Sequence, residues 1–462
     1  MSRTIYGVLL GARVTKRIAL TLALALVVVA CGSDDAGEET TTAPPTTTAP
    51  SEPSTTDSAE GEVSSDEPIR VGTSLTLTGI FAEFGSANQD GYQLCADEVN
   101  ARGGLLDRPL ELVIEDNRSD TEIAVSQYER FINVDRVDLL FGPFSSLLYF
   151  PTSSVAEQAG MVFPAPAGGA LDIWERGYEN IFYFQQNAGE FVGEAPLNAL
   201  KHYRDIGVIS PEDYPTTAAI VAVDDFFVNA LVRGLVGDAD IGPGAVADAE
   251  IEIVLNETFP IGFSEWLSLA NQIAASGADV LLGGLTTGDE GIELMRALAT
   301  VGYSPKAIYL SEAAALEFAD NLGELANGVI AHTSWHPDVA FEGILGGEAF
   351  TNQDFFQRFQ ETFDREPGEN EAQAFAVCQG IEQAVRGAGT VDNSAIRDWL
   401  RARTANDPVR TVMGDFYWDE RGLPVDRDFL VGQWQDGRLN FVFPAEEFEN
   451  VVDLMYPIAT DE

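Results

Sequence analysis

Lysine is almost missing from this chain of 462 residues and stands only at positions 16, 201 and 306. Lysine and arginine together number 26 against 74 aspartates and glutamates, which gives a formal net charge of -48. Such a surface repels phosphate backbones and anionic headgroups, so we expect no binding to nucleic acid. Because net charge governs solubility rather than fold, we interpret the acidity as a solubility adaptation, with a surface specialised for one partner as the alternative.

Recognisable catalytic and cofactor motifs are also missing. The sequence contains no G-x-S-x-G turn, no H-E-x-x-H zinc motif, no Walker loop and no G-x-G-x-x-G fingerprint. His332 and His336 have metal-binding spacing, but they flank Trp335 and Pro337 and have no third plausible ligand. The sequence therefore predicts no enzyme, no metal site and no cofactor.

Cysteine is scarce, and the first of the three, Cys31, ends an apolar run at the N-terminus. Residues 18–29 are apolar and follow a basic segment, but about 12 residues fall short of the ~20 that span a bilayer. We interpret residues 1–31 as a secretory signal peptide. Val28-Val29-Ala30-Cys31 resembles the lipobox of bacterial lipoproteins, which implies that acyl chains on Cys31 anchor an exported chain to the outer face of the cell membrane. The alternative is a signal peptide with an incidental cysteine.

The segment after Cys31 has a different composition. Residues 32–67 are mostly Thr, Pro, Ser, Glu, Asp and Gly, with almost nothing apolar. Such a segment cannot bury enough surface to offset the entropy of ordering, so we predict a disordered linker. It would let the folded part stand off a membrane.

From residue 68 onward, short apolar strands alternate with helices. The predicted strands are residues 69–75, 110–114, 137–141, 218–223, 246–254, 280–283, 307–310, 416–418 and 429–434. The predicted helices are residues 87–101, 121–133, 147–158, 227–235, 264–275, 290–300, 353–363, 371–386 and 394–402. This alternation is typical of α/β folds with parallel sheets, and two runs of it predict two doubly wound lobes. Ligands of such sheets bind at the carboxyl ends of strands, which directs attention to residues 76–85, 142–146 and 164–170.

Six motifs in order carry a resemblance to a known family. They are Ile69-Arg70-Val71-Gly72 with Leu77-Thr78-Gly79; Gly91, Ala96, Glu98, Val99, Asn100 and Gly103-Gly104; Asp116 with Asp120; Gly142-Pro143-Phe144-Ser145-Ser146; Arg176-Gly177-Tyr178; and Gly414 with Trp418-Asp419-Glu420-Arg421-Gly422. Together they resemble the leucine/isoleucine/valine-binding protein family, the type I periplasmic solute-binding proteins of ABC transporters. The match covers nearly all of residues 68–443.

The resemblance implies a non-catalytic receptor that closes two hinged lobes around one solute and delivers it to a transporter permease. It places lobe 1 at residues 68–186 and 334–424, lobe 2 at residues 187–333 and 425–450, and a C-terminal tail at residues 451–462. We expect a monomer that binds a branched-chain or other amino acid. The alternatives are a ligand-sensing receptor component, a binder of an amide or aromatic carboxylate and, last, an exported enzyme.

The resemblance also assigns the two charged ends of the solute. Ser145 and Ser146 precede an apolar helical stretch, where a hydroxyl and the helix N-terminus would bind a carboxylate. A cap of the helix is their alternative role. Glu312 stands where the family places the acid that pairs with the ammonium group of the ligand, and a solvated surface glutamate is its alternative.

Four further positions complete the predicted site. Gly168 and Gly169 lie where the family supplies backbone carbonyls and a threonine hydroxyl, although Gly169 has no hydroxyl to supply. Phe227 and Phe84 match aromatic positions of the cleft wall, with core packing as the alternative.

Cys95 and Cys378 both lie on predicted helices of lobe 1. The export signal makes a disulfide chemically allowed, and we expect these two residues to form one. Two buried free thiols are the alternative. The disulfide of familiar family members lies elsewhere, at positions where this chain has no cysteine.

Overall fold

A computed structural model describes residues 67–444 and 450–458 of the chain. These residues belong to one compact unit, Glu62–Glu462. The predicted signal peptide, Cys31 and the linker up to residue 66 lie outside the described residues. Within the part that is described, no helix is long and apolar enough to cross a membrane.

The described chain contains short strands and longer helices in alternation. The strands are β1 Ile69–Leu75, β2 Leu110–Asp116, β3 Leu139–Phe141, β4 Phe163–Ala165, β5 Ile181–Tyr183, β6 Thr217–Val223, β7 Gly237–Asp238, β8 Gly242–Pro243, β9 Glu252–Phe259, β10 Val280–Gly284, β11 Ala307–Leu310, β12 Val329–Thr333, β13 Glu342–Leu345, β14 Glu348–Thr351, β15 Val409–Thr411, β16 Gly414–Phe416, β17 Leu430–Gln435 and β18 Arg438–Phe443. The helices are α1 Ala82–Ala101, α2 Thr121–Arg130, α3 Ser146–Ala159, α4 Leu171–Trp174, α5 Glu194–Asp205, α6 Phe226–Val236, α7 Ala245–Asp248, α8 Trp266–Ser276, α9 Gly288–Val301, α10 Leu316–Leu322, α11 Asn352–Phe363, α12 Glu369–Ala388 and α13 Asn393–Arg401.

Two parallel sheets organise the fold. The first has the order β2-β1-β3, and β4 and β5 form a parallel pair. The second has seven strands in the order β18-β17-β12-β11-β10-β6-β9. The neighbouring strands β9, β6, β10, β11 and β12 run parallel. Strands β17 and β18 extend the sheet at the β12 edge in antiparallel orientation. Strands such as β6 and β10 are buried along their length, as expected where helices cover both faces of a sheet.

The hydrophobic cores show how the chain divides between the two sheets. One core joins residues of β1 and α1 to residues of α12 and of the 409–418 segment. Two others join the helices around the seven-stranded sheet to residues of β17 and to Leu454 and Ile458. Leu454 and Ile458, in the predicted tail at residues 451–462, therefore pack into the core.

Three predicted boundaries are wrong. The predicted strand at residues 246–254 begins as the helical turn α7, and β9 starts only at Glu252. Ala245 and Val246 are buried in the same core that a strand would fill, so apolar composition did not distinguish the two. Helix α1 begins at Ala82 rather than residue 87. The predicted strand at 416–418 is instead Gly414–Phe416, which pairs with β15 in a hairpin, while Trp418 makes only an isolated bridge to Pro424.

Candidate functional site

A cleft of about 770 Å³ lies at the carboxyl ends of strands from both sheets. Its walls contain residues that directly follow β3 and β4 of the first sheet group and β6, β10 and β11 of the second. The three loops expected from the sequence to face a ligand, at residues 76–85, 142–146 and 164–170, each contribute to it. The cleft is therefore the place where a doubly wound fold binds its ligand.

Ser145 and Ser146 lie together at the N-terminus of α3 and line the cleft. Ser145 holds a left-handed backbone, with φ +81°, and its Oγ accepts a hydrogen bond from Leu147 N at 3.1 Å. The Oγ of Ser146 accepts from Ala170 N at 3.3 Å. Since each oxygen accepts from the chain, each hydroxyl keeps a proton to donate to a ligand. Beside the positive end of a 14-residue helix, these donors suit a carboxylate.

Glu312 follows β11 and is half-buried in the cleft. The loop that carries it is fixed by Ser311, whose Oγ accepts from Leu285 N at 2.8 Å and donates to Leu285 O at 3.0 Å. Among the described residues the carboxylate of Glu312 has no hydrogen-bond donor or cation. Burial raises the pKa of Glu312 well above its usual value, and the charges of Glu369 and Glu83 raise it further. This carboxylate is arranged to accept a positively charged group.

The structure separates the two predicted glycines. Gly168, with φ +109°, lines the cleft, and its carbonyl accepts from Trp174 Nε1 at 2.9 Å. Gly169 does not line the cleft: it lies against Tyr183 and Phe227, and a Cβ there would stand 2.8 Å from Tyr183 Oη. A threonine would not fit at this position, which explains the missing hydroxyl.

Both predicted aromatic residues line the cleft while packing on apolar neighbours. Phe84 is buried and stacks on Phe144 with ring centroids 4.3 Å apart. Phe227 is half-buried and packs against the core of the second sheet. Phe84 and Phe227 thus combine core packing with a place in the cleft wall, and their contact with a ligand stays a prediction.

Sequence reasoning missed three polar residues of the cleft, Asp225, Glu369 and Gln373. Asp225 follows β6 and could have been found by applying the strand-end rule to that strand, whereas Glu312 was predicted from the family resemblance. Glu369 begins α12 and is held by Thr333 Oγ1 at 2.9 Å and by Ser334 N at 3.0 Å. The position of Glu369 follows from long-range packing, so no local pattern signals it.

The resemblance predicts that the chain crosses between the lobes near residues 185–186, 332–335 and 423–425. Residues at or next to these interlobe crossings form one hydrogen-bonded cluster. Gln186 Nε2 donates to Ser334 O at 2.7 Å, and Arg427 Nε donates to Gln186 Oε1 at 2.6 Å. His332, in the same region, contacts Tyr309 Oη through Nδ1 at 3.0 Å, and burial lowers its pKa to about 4. The described residues hold no group of three metal-ligating side chains, so His332 and His336 have no third partner for a metal.

Three findings connect this geometry to known proteins. A sequence profile of the periplasmic binding protein family matches residues 68–438. The amino acid binding protein of Pseudomonas aeruginosa is 26% identical over 374 residues, covering 80% of this chain and 90% of that protein. Leu/Ile/Val-binding protein homolog 7 of Brucella abortus is 23% identical over 390 residues, covering 83% of this chain and 93% of that protein.

The fold matches that of solved structures. The branched-chain amino acid transporter substrate binding protein LivJ of Streptococcus pneumoniae, solved in complex with isoleucine, superimposes with a TM-score of 0.66. The two chains are 19% identical, and the match covers 85% of this chain and 100% of that one. The likeness confirms the predicted α/β fold of the type I periplasmic binding proteins.

Proposed function

The chain belongs to the periplasmic binding protein family, and we propose that it is the substrate-binding component of an ABC transporter that captures an amino acid in the cleft. Two relatives support this, since they are named as an amino acid binding protein and a Leu/Ile/Val-binding protein homolog. The single observation that carries the proposal is the pairing of hydroxyl donors at a helix N-terminus with an unpartnered carboxylate in one cleft. The family consists of solute-binding proteins, and we propose no catalytic activity for this chain.

Within this proposal, the two charged ends of the amino acid have separate partners. Ser145 and Ser146 donate hydrogen bonds to the carboxylate, and Glu312 accepts from the ammonium group. Charge-assisted hydrogen bonds of this kind are strong where a closed cleft excludes water. Phe84, Phe227 and the Gly168 backbone form the wall around the remaining atoms.

We further propose two lobes, residues 68–186 with 334–424 and residues 187–333 with 425–450. The hydrophobic cores support this division, because the main core of each group of residues is built almost entirely from its own segments. Closure of the lobes around the solute would present a loaded receptor to the permease. We propose that the receptor acts as a monomer, exported and tethered through a lipid on Cys31.

Calorimetric titration of the full-length chain, freed of copurified ligand by unfolding and refolding, tests the function. The panel contains leucine, isoleucine, valine, polar amino acids, urea and benzoate-type acids. We expect an amino acid to bind with micromolar or tighter affinity, and Glu312→Ala and Ser146→Ala to lose roughly 10–100-fold, the equivalent of one charge-assisted hydrogen bond. Glu257→Ala, on an exposed carboxylate of β9 outside the cleft, is the matched control.

Two results would contradict parts of this proposal. Tight binding of a carboxylate without an amine, unaffected by Glu312→Ala, removes Glu312 from the site and leaves Ser145 and Ser146. A folded protein that binds nothing on an extended panel of amino acids contradicts the amino acid assignment.

A further inference from the structure

The cleft contains more carboxylates than one ammonium group can pair with. Eight of its lining side chains are carboxylates and two are arginines. Arg365 is already engaged, with Nη1 2.7 Å from Glu371 Oε1 and Nη2 2.7 Å from Asp90 Oδ2. Arg438 is exposed at the turn between β17 and β18. Neither arginine has an ion pair with the carboxylates deeper in the cleft.

Asp225 is the clearest unsatisfied acceptor. Its side chain is 6% exposed, and its Oδ1 caps α6 by accepting from Phe227 N at 2.8 Å and Val228 N at 3.3 Å. Its Oδ2 is buried, and among the described residues it has no hydrogen-bond partner. A buried acceptor left unpaired costs about 1–3 kcal/mol, so a donor from a ligand would stabilise it.

Gln373 is a second unsatisfied acceptor in the cleft. It is 1% exposed, and its Nε2 donates to Glu369 Oε1 at 2.8 Å. Its Oε1 is buried and, within the described part of the chain, also has no partner. Both unpaired atoms are acceptors, so N–H donors on a ligand suit them.

The acidic composition of the chain does not explain this arrangement, because buried carboxylates elsewhere have arginine partners. Glu190, 2% exposed, lies 3.4 Å from Arg233. Glu382, 1% exposed, bonds to Arg386. Within the cleft itself, Glu371 bonds to Arg365. In contrast, Asp225 and Glu312 have no arginine or lysine partner among the residues that the structure describes. Among the buried carboxylates that the structure describes, Asp225 in the cleft is thus the one without a cationic partner.

We infer that the solute carries two cationic nitrogen groups, one bound by Glu312 and the other by Asp225, with Gln373 and Glu369 lining the same cleft. This inference rests on the proposed function and narrows its ligand. A neutral aliphatic amino acid brings one ammonium group and leaves the orphaned acceptors unpaired. An ammonium or guanidinium group at a second end supplies the missing donors and charge. Basic amino acids and diamines share this chemistry.

Calorimetry with matched ligands tests the inference on the full-length chain. Lysine and norleucine have the same carbon chain and differ in the terminal amine. Cadaverine is lysine without its carboxylate. We expect lysine or cadaverine to bind at least tenfold more tightly than norleucine. Asp225→Asn, which keeps a helix-capping oxygen, should weaken the cationic ligand at least tenfold and change norleucine less than twofold. Asp320→Asn, on an exposed residue of α10 outside the cleft, is the matched control.

Each outcome has a definite meaning. Lysine stronger than cadaverine supports the inference and identifies a basic amino acid. Cadaverine equal to lysine supports two cationic groups but contradicts the proposed binding of a carboxylate by Ser145 and Ser146. Norleucine or leucine binding as tightly as both cationic ligands overturns the inference and leaves the proposed function intact. A folded protein that binds no amino acid or amine overturns the inference and the proposed function together.

Discussion

Glu312 has opposite effects on the empty and the occupied cleft. In the empty cleft its carboxylate is half-buried and has only other carboxylates, such as Glu369 and Glu83, as charged neighbours. Burial first, and these charges second, raise the pKa of Glu312 well above its usual value. An ammonium group would offset both the burial of the carboxylate and the repulsion by its acidic neighbours. The ligand-free protein is therefore less stable than it would be without this charge.

We predict that Glu312→Gln stabilises the ligand-free protein at about pH 7 by about 1 kcal/mol, as replacement of a strained functional group commonly does. In the folded state the pKa of Glu312 lies well above its usual value of 4.5. The contribution of this group to stability is therefore complete below pH 4.5 and is lost as the pH rises through the raised pKa. The variant should therefore have a higher midpoint of thermal unfolding than the parent chain at neutral pH. At about pH 4 the two midpoints should be equal. Glu257→Gln is the control, and a lower midpoint at neutral pH would contradict the prediction.

The packing of α1 against α12 joins two distant parts of the chain. Cys95 on α1 and Cys378 on α12 form a disulfide with their Cα atoms 6.2 Å apart. Gly91 lets the helices approach, because a Cβ there would stand 2.2 Å from Glu371 O. The disulfide closes a loop of 283 residues, which removes much conformational freedom from the unfolded chain.

Replacement of Cys95 and Cys378 by alanine should lower the free energy of unfolding by about 2–5 kcal/mol. Urea denaturation with and without reductant measures this. Reductant should not change the free energy of unfolding of the double variant. It should lower the free energy of unfolding of the parent chain toward that of the double variant. Neither cysteine lines the cleft, so solute affinity should stay within about twofold. An unchanged midpoint of the parent chain on reduction would exclude a stabilising disulfide.

Periodicity and strand-end rules predicted most elements of the fold from sequence, and the failures have physical causes. Strands β4 and β5 have three residues each, too short for any alternation to be seen. Helix α7 was mistaken for strand because its apolar residues fill the same core. In the site, Glu312 was predicted through the family resemblance and lines the cleft, whereas Glu369 depends on the docking of α12 and has no local signal.

At the scale of the whole molecule, the cleft and the predicted interlobe crossings share one hydrogen-bond network. Glu369 lines the cleft and accepts from Ser334 N, and Ser334 O accepts from Gln186 Nε2. Gln186 in turn accepts from Arg427, whose pKa is lowered to about 9 by burial. A cationic solute that reached Glu369 would therefore act directly on the segments about which the proposed lobes turn.

The net charge of -48 acts on the same whole molecule as self-repulsion. Raising NaCl from about 0.01 M to about 1 M shortens the Debye length from ~30 Å to ~3 Å, which screens charges spread over the surface. We predict that the midpoint of thermal unfolding of the ligand-free chain rises over this range. KCl should produce the same rise, because screening does not distinguish the cations. A midpoint that falls with salt would show that favourable ion pairs, rather than repulsion, dominate the surface.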